Sequence, residues 1–365
     1  MSTNPFVRYR DRLGSYEPVR DGRMSDGEFV EIVETLDAAV ADIEGHGFIE
    51  TPVVDGSALA HAEGLNVNLW IKVEVGNVGG SHKARHLFGV ALHLLVYESL
   101  GAPVTERLAI ASCGNAALGA GVVAAAMKRP LDVFVPTWAD ATVVERLNDL
   151  GAMVKAAERR EGESGDPAYL RFREAVQSGA RAFSVQGTDT PTTFDGGRTL
   201  GWELADQLET IHALYIQVGG GALGTSVSVA LPDARLHPVQ AEGCAPLRRA
   251  WDRLAPDYNF DLAAVHPDEY MWPWDNPHSL ATGILDDITY DWLPLLQRTK
   301  VTGGEPIVTP EPLIEKAYAS AHAHTDIPVC STGTAGFAGL MHEPPAGRET
   351  VVVLFTGIDR TDGPI

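Results

Sequence analysis

The stretch Asn77-Val78-Gly79-Gly80-Ser81-His82-Lys83-Ala84-Arg85 joins two segments of different periodicity. Residues 69–75, before it, form an apolar run typical of a buried strand, and the amphipathic run after it, which ends near Leu100, predicts a helix. Lys83 is therefore expected in the first helical turn, where the dipole disfavours a cation and favours the neutral, nucleophilic amine. A solvated lysine after a loop is the alternative, because most lysines lie at the surface.

Around this stretch, strand-like and helix-like segments alternate along the chain. Strands are predicted at residues 108–111, 131–135, 153–156, 182–185, 213–218, 239–242 and 350–357, and helices at residues 26–43, 116–127, 141–150, 168–178, 197–209, 222–230 and 311–322. This alternation predicts an α/β fold with parallel strands that are covered by helices on both faces. Residues 254–308 interrupt the pattern with tryptophans, prolines and acidic clusters, and we interpret them as an insertion or a substrate-side cap.

Composition limits the classes of function. The chain has 365 residues, with 28 basic and 49 acidic side chains and a net charge of −21, so nucleic acid and anionic membranes are poor partners. Cys113, Cys244 and Cys330 are far apart and form no Cys-x-x-Cys pair, which argues against a disulfide framework or a zinc site. The N-terminus lacks a signal pattern, and the longest nearly apolar run, residues 116–127, is too short to span a bilayer. We therefore expect a soluble, cytoplasmic protein without a metal site.

A second motif is the stretch Ala111-Ser112-Cys113-Gly114-Asn115-Ala116-Ala117, where a predicted strand ends and a helix of small residues begins. Backbone N–H groups at such a helix start can bind a carboxylate without a charged side chain. Ser112 and Asn115 could instead simply cap the helix.

A third motif, Val218-Gly219-Gly220-Gly221-Ala222-Leu223-Gly224-Thr225, follows an apolar strand and opens a helix. Glycines allow the backbone N–H groups to point at a phosphate, and the helix dipole adds to the attraction. The spacing matches neither the dinucleotide fingerprint nor the Walker loop. A glycine turn without a ligand is the alternative.

The fourth motif, Pro328-Val329-Cys330-Ser331-Thr332-Gly333-Thr334-Ala335, again leads from a strand end into a helix of small residues. Its hydroxyl groups either cap the helix or offer a neutral hydrogen-bond partner to a ring nitrogen.

The order and spacing of these four motifs resemble the fold-type II pyridoxal-phosphate enzymes, which include threonine synthases, serine and threonine ammonia-lyases, cysteine synthases and tryptophan synthase β chains. The resemblance covers residues 50–357, and residues 194–208 and 240–250 are most similar to the threonine synthase and ammonia-lyase branch. It implies two doubly wound parallel-sheet domains with pyridoxal phosphate in the cleft between them, and a homodimer. The implied division is an N-terminal extension at 1–50, a large cofactor-anchoring domain at 51–85 and 190–357, and a small substrate-side domain at 86–189.

The resemblance also implies roles for individual residues. Lys83 would hold the cofactor as an internal aldimine and would move protons at the substrate Cα. Asn115 would bind the ring hydroxyl, and the substrate carboxylate would bind to Ser112, Cys113, Gly114 and Asn115. The phosphate would bind to Gly219, Gly220, Gly221, Ala222, Leu223 and Gly224. Thr332 would face the pyridine nitrogen, and Ser331 and Thr334 remain candidates for that role.

Three positions depart from the family pattern. His82 stands where ammonia-lyases and threonine synthases usually carry Phe; it resembles the histidine that contacts the cofactor phosphate in tryptophan synthase β chains, and a solvated loop histidine is the alternative. Ala84 replaces the Asp that is common in threonine synthases. Cys113 replaces Ser or Thr, and we expect it to be a small buried side chain. These changes leave the choice of substrate open.

The resemblance thus implies a pyridoxal-phosphate-dependent lyase that performs β-elimination and deamination of a small amino acid such as serine or threonine. A β- or γ-replacement enzyme, either a threonine synthase or one similar to cysteine synthase, is the alternative. A non-catalytic phosphate-binding protein is a third class, which the complete set of motifs disfavours. We favour elimination because no cluster of Arg or Lys marks a phosphohomoserine site.

Overall fold

The computed structural model describes residues 2–255 and 257–360. The strands are numbered along the chain as β1 (Val53–Asp55), β2 (Asn68–Val73), β3 (Leu108–Ala111), β4 (Leu131–Pro136), β5 (Met153–Ala157), β6 (Arg181–Ala182), β7 (Ala213–Gln217), β8 (Arg235–Ala241), β9 (Ile307–Thr309) and β10 (Thr350–Phe355). The α-helices are α1 (Pro5–Arg8), α2 (Glu17–Arg20), α3 (Asp26–Glu44), α4 (Ser57–Ala62), α5 (Lys83–Ser99), α6 (Asn115–Ala126), α7 (Ala141–Asp149), α8 (Pro167–Gln177), α9 (Thr193–Gln207), α10 (Ala222–Ala230), α11 (Pro246–Leu254), α12 (Phe260–Val265), α13 (Trp292–Thr302), α14 (Glu311–His324) and α15 (Ser331–His342).

The described chain divides into two compact units, one of residues 2–50 and 77–199 and the other of residues 51–76 and 200–360. The sequence instead predicts boundaries inside α5, at 85/86, and before α9, at 189/190. A boundary inside α5 is disfavoured because the helix is continuous. Its first turn also packs closely on α6, since a Cβ on Gly119 would lie only 3.2 Å from the Cα of Ala84. The functional labels of the two predicted domains stay predictions.

Residues 2–50 form part of the first unit rather than a separate extension. Phe6 of α1 is fully buried, and its ring lies 4.5 Å from that of Phe88, measured between centroids. The N–H of Ser15 donates to the carboxylate of Asp195 at 3.1 Å. The aromatic residues at the start of the chain therefore contribute to the core of this unit.

The first unit contains a four-stranded parallel sheet in the order β5-β4-β3-β6. Ala111, the last residue of β3, lies opposite Phe134 of β4, so the loops that follow these strands begin at the same edge of the sheet. Ala109 and Phe134 pack in one core cluster with Phe172 of α8.

The second unit is built on a six-stranded sheet in the order β1-β2-β10-β7-β8-β9, in which β1 runs antiparallel to β2 and the other neighbours run parallel. Alternate residues of β10 enter different core clusters: Val353 packs in one and Val352 in the other. The sheet is therefore buried on both faces, as near-continuous apolar strands predict. The two parallel-rich sheets confirm the predicted α/β class.

The segment 254–308 is only partly an insertion. Its last part belongs to the sheet of the second unit, because β9 pairs with β8 through Ile307 and Val239 and α13 buries Leu295 and Leu296. The preceding part contains α12 and irregular turns, and there the ring of Trp272 stacks under the guanidinium of Arg249 at 3.8 Å. The interruption is thus shorter than the sequence predicts.

Helix α9 begins at Thr193, four residues earlier than the predicted start, and includes Gly196 and Gly197. Glycine is a poor helix former, so the sequence argues against a helix here. A Cβ on Gly196 would clash with the backbone oxygen of Arg85 in α5. Close packing of the two helices therefore requires this glycine and overrides its propensity.

A fully buried ion pair joins strand and helix within the second unit. Nζ of Lys72 in β2 lies 2.7 Å from Oε2 of Glu203 in α9, and both side chains are completely buried. The ammonium also donates to the backbone oxygen of Thr51 at 2.7 Å and to Oε1 of Gln207 at 2.9 Å. The hydroxyl of Thr51 in turn donates to the buried Glu74 at 2.5 Å.

Across the residues that the structure describes, none of the helices is both long enough and apolar enough to cross a membrane.

Candidate functional site

The stretch around Lys83 forms a sharp turn before α5. Asn77 accepts a hydrogen bond from the N–H of Val78 at 2.8 Å, and Gly79 and Gly80 both have φ = +65°, a conformation that favours glycine. Lys83 is the first residue of α5, as predicted, and it is half-buried. Lys83 is therefore not a fully exposed side chain, and the alternative of a surface lysine stays open.

His82 and His86 flank Lys83 on the same part of α5. His82 is the N-cap residue and is only 7% exposed, so the alternative of a solvated loop histidine is wrong. Its ring lies 5.9 Å from that of His86 in an edge-to-face arrangement. His86 is buried, and its Nδ1 lies 2.9 Å from the backbone oxygen of Thr193. Because a carbonyl only accepts, Nδ1 carries the proton when the ring is neutral.

The environment of His86 keeps its imidazole neutral. Burial, together with the positive charge of Lys83, lowers the pKa of His86 to about 3, and the hydrogen bond to Thr193 opposes the shift only in part. The sequence did not indicate this histidine. Its position one turn after Lys83 is the signal that could have found it.

The loop 112–115 connects β3 to α6. Helix α6 begins at Asn115 with Gly114 as the N-cap, and no side chain caps it. The alternative that Ser112 and Asn115 simply cap the helix is therefore wrong; the hydroxyl of Ser112 instead accepts from the N–H of Gly114 at 3.4 Å. Cys113 is half-buried rather than buried, as are its neighbours in the loop.

The structure brings the first two motifs together within the first unit. Gly119 of α6 lies against both the turn and the start of α5. A Cβ on Gly119 would be 3.2 Å from Ala84, and a Cβ on Gly79 would be 3.5 Å from Gly119. The helix start at Asn115 therefore belongs to a helix that packs directly against the turn carrying Lys83.

The glycine loop 219–221 follows β7 and leads into α10. Gly221 is the N-cap with φ = +102°, and no side chain caps the helix. A Cβ on Gly221 would lie 3.2 Å from Cγ2 of Thr289, and one on Gly219 would clash with Oδ2 of Asp286. Only glycine fits at Gly219 without a shift of its neighbours. An uncapped helix start behind a tightly packed glycine turn suits a phosphate, since its N–H groups and dipole attract anions.

The hydroxyl groups of the fourth motif are distinguished by their hydrogen bonds. Ser331 donates to the backbone oxygen of Leu280 at 2.9 Å, and Thr334 donates to that of Ser331 at 3.0 Å. Thr332 instead accepts from the N–H of Gly283 at 2.9 Å. Because a hydroxyl has a single proton, Ser331 and Thr334 have used theirs, and Thr332 is the better donor candidate of the three.

A further hydroxyl, which none of the four motifs contains, lies at the end of β10. Thr356 is buried and accepts from Nε2 of Gln217 at 2.7 Å. The same Nε2 contacts the backbone oxygens of Gly333 and Leu354, both at 3.1 Å. Gln217, the last residue of β7, therefore connects the strand before the glycine loop to β10 and to the start of α15. A hydroxyl directly after the last apolar strand was the available signal.

The residues on each unit suit a pyridoxal-phosphate site: an amine at a helix start, uncapped helix N-termini and neutral hydroxyl groups. The described residues hold no group of three or more His, Cys, Asp or Glu side chains placed to bind a metal ion.

Comparison with known proteins defines the class. Residues 46–357 match the family model described as pyridoxal-phosphate dependent enzyme, so the chain belongs to this family and its cofactor is pyridoxal phosphate. This confirms the resemblance to fold-type II enzymes.

Individual relatives are more distant. The chain is 29% identical to an L-threonine ammonia-lyase of Thermotoga maritima over 212 residues, which are 54% of this chain and 50% of that protein. It is 26% identical to a phenylserine dehydratase of Ralstonia pickettii over 310 residues, 83% of this chain and 86% of that protein. Among solved structures, the chain is similar to the processed form of threonine deaminase isoform 2 from Solanum lycopersicum, with a TM-score of 0.68 and 19% identity. The superposition covers 93% of this chain and 86% of that one. The chain thus spans about half the length of the threonine ammonia-lyase that it matches.

Proposed function

We propose that this protein is a lyase that removes the hydroxyl and amino groups of a 3-hydroxy amino acid such as serine or threonine and releases a 2-oxo acid and ammonia. The observation that carries the proposal is the position of Lys83 as the half-buried first residue of α5 in a chain of this cofactor family. Two of the relatives are a threonine ammonia-lyase and a phenylserine dehydratase, which supports elimination over replacement.

Lys83 would hold the cofactor through its amine and carry the proton of the substrate Cα. Two features favour an available amine. It lies at the positive end of α5, where a cation is disfavoured. It is also half-buried, which further disfavours the charged form.

Loop 112–115 would bind the substrate carboxylate through its backbone, because α6 begins without a side-chain cap. Asn115 would orient the ring hydroxyl of the cofactor. Loop 219–221 would hold the phosphate, with Ala222, Leu223 and Gly224 in the first turn of α10. His82 would contact the phosphate as well.

Thr356 joins Thr332 as a candidate for the group that faces the pyridine nitrogen. Thr356 is buried at the carboxyl end of β10, beside the strand that leads into the glycine loop, and this edge of parallel strands commonly forms ligand sites. A neutral hydroxyl at this place leaves the pyridine nitrogen unprotonated, so less of the negative charge that develops at Cα is delocalised into the ring. This favours rapid loss of the leaving group at Cβ.

Bound pyridoxal phosphate supplies the electron sink for the charge that develops at Cα. The protein contributes orientation, a base at Cα and a carboxylate clamp. Overall, each 3-hydroxy amino acid yields one 2-oxo acid and one ammonia, with no oxidant or further reactant.

The test is an assay of the purified, cofactor-loaded protein on serine, threonine and phenylserine, with ammonia and 2-oxo acid measured in parallel. We expect equal amounts of both products from at least one substrate, and none from the Lys83→Ala variant. Phosphate release from O-phosphohomoserine without ammonia would instead identify a threonine synthase and contradict the proposal.

A further inference from the structure

The last residue of α3 is bound to the turn that precedes Lys83. Oε2 of Glu44 accepts a hydrogen bond from the N–H of Gly79 at 3.0 Å. The other carboxylate oxygen, Oε1, lies 2.9 Å from Nη2 of Arg146 in α7. All of these residues belong to the first unit. One carboxylate therefore joins two helices, α3 and α7, to the turn formed by residues 77–82.

The position of Glu44 is unfavourable for its own helix. The C-terminal end of a helix carries a partial negative charge and favours cations, yet residues 41–44, the last turn of α3, include two acidic side chains and no basic one. The side chain of Glu44 is also only 14% exposed. Its charge is compensated by the guanidinium of Arg146 and by the N–H of Gly79, through charge-assisted hydrogen bonds. Glu44 therefore acts on neighbouring elements rather than on α3.

The turn before Lys83 needs support from outside because its backbone is intrinsically free. Gly79 and Gly80 have φ = +65°, and glycine readily adopts many other conformations. Helix α6 supports the turn on one side, since a Cβ on Gly79 would lie 3.5 Å from the Cα of Gly119. Glu44 holds the N–H of the same residue. Lys83 follows four residues later, so a change in the turn displaces the start of α5 from which its side chain extends.

We propose that Glu44 is a positioning residue for Lys83: with Arg146 behind it, the carboxylate holds the turn 77–82 in the conformation that presents the amine to the cofactor. This role rests on the proposed function of Lys83. Glu44 lies outside residues 46–357, which match the family model, so the N-terminal segment of this chain adds its own support to the site. Without the carboxylate the turn has more conformations, and the amine reacts only in the fraction of molecules that keep the productive one.

The experiment measures the attachment of the cofactor rather than turnover. Cofactor-free proteins are mixed with pyridoxal phosphate, and the condensation of its aldehyde with the lysine amine, which releases water, is followed by absorbance. We expect the rate constant to fall at least about tenfold in Glu44→Ala. Glu44→Gln keeps an acceptor for the N–H of Gly79 and should stay within about threefold of wild type. Asp42→Ala removes an exposed carboxylate from the same helical turn; it is the matched control and should react as wild type does.

A purely structural role of Glu44 gives a different result. Glu44→Ala would then unfold at a lower urea concentration but attach the cofactor at the wild-type rate, and the positioning role would be wrong. Equal rates in Glu44→Gln and Glu44→Ala would also contradict it, because the retained acceptor would have no effect. In the loaded enzyme we expect kcat to fall in Glu44→Ala while KM stays within about twofold, since the turn is not part of the proposed carboxylate loop 112–115.

Borohydride reduction separates this role from the proposed function. Reduction fixes the cofactor on the lysine to which it is attached, and peptide mass spectrometry identifies that lysine. Attachment of wild type at a lysine other than Lys83 contradicts the proposed function itself. Attachment at Lys83 with equal rates in wild type and Glu44→Ala contradicts only the role of Glu44. If Glu44→Ala does not fold, Arg146→Met removes the cation that holds the carboxylate; we expect a rate at least about threefold lower, and the wild-type rate would contradict the proposal.

Discussion

Lys72 and Lys83 lie close together in the sequence but in opposite environments. Lys72 is fully buried, and its ammonium donates to Glu203, Thr51 and Gln207 at 2.7–2.9 Å. Three acceptors match the three donors of an ammonium, so the hydrogen-bonding capacity of Lys72 is satisfied. Lys83 is half-buried at a helix start, where the field favours the neutral amine. Lys72 thus serves the fold, whereas the proposed function assigns the chemistry to Lys83, whose place at a helix start disfavours a cation.

The largest expected effect comes from Lys83→Ala. We expect turnover to fall by at least about 10³-fold, because the proposed function makes Lys83 both the covalent anchor of the cofactor and the base at Cα. The absorbance of the protein-bound cofactor should disappear as well, while the circular dichroism spectrum should not change. Partial rescue by added methylamine would support a chemical role. A variant that keeps both absorbance and turnover would contradict the proposed role of Lys83.

Lys72→Met should affect stability rather than chemistry. It leaves the carboxylate of Glu203 buried without its cation, which costs about 3–5 kcal/mol in the free energy of unfolding. Urea denaturation measures this change. The double variant Lys72→Met/Glu203→Gln should be more stable than the single variant, because the buried charge is removed. If the single variant unfolds at the wild-type urea concentration, the ion pair does not stabilise the fold.

The neutral His86 beside Lys83 predicts a pH effect. Its pKa is about 3 in the folded protein and near 6.5 when unfolded, so below pH 6.5 the unfolded chain binds the extra proton. Stability therefore falls with decreasing pH, by about 2 kcal/mol between pH 7 and pH 5 from this group. His86→Asn should flatten the pH dependence of the unfolding free energy, and His61→Asn, at an exposed position, should not. An unchanged slope in His86→Asn would show that the imidazole is not buried in its neutral form.

The smallest effect concerns the hydroxyl that faces the pyridine nitrogen. If Thr356 has this role, Thr356→Val should weaken cofactor binding by about five- to tenfold, the value of roughly one hydrogen bond, and should shift the absorbance maximum of the bound cofactor. Thr332→Val should then leave the spectrum unchanged. The reverse pattern would favour the assignment to Thr332.

Local patterns in the sequence predicted much of this protein. Helix α10 matches its predicted range, and β3 does as well, because each combines a clear hydrophobic period with a glycine or small-residue boundary. The turn before Lys83 followed from Gly79 and Gly80, whose left-handed conformations favour glycine. The cofactor class followed from the order of four short motifs.

Other features depend on residues far apart in the chain and could not be predicted in this way. Helix α9 contains Gly196, which its packing on α5 requires, and β9 is too short to show a period. The choice of candidate hydroxyl groups for the pyridine nitrogen depends on their hydrogen-bond partners. Gln217 donates to Thr356 and Gly283 donates to Thr332, and no local sequence pattern connects either pair.

The sequence by itself determined the α/β class, the cofactor and the lysine at the start of α5, since these depend on periodicity, turn chemistry and motif order. Only the tertiary structure decided that Lys72 is held by Glu203, that His82 is buried and that Asp286 lies against Gly219. The physical reason is that charge, hydrogen bonding and burial are set by neighbours in space. Those neighbours come from segments that the sequence alone does not place side by side.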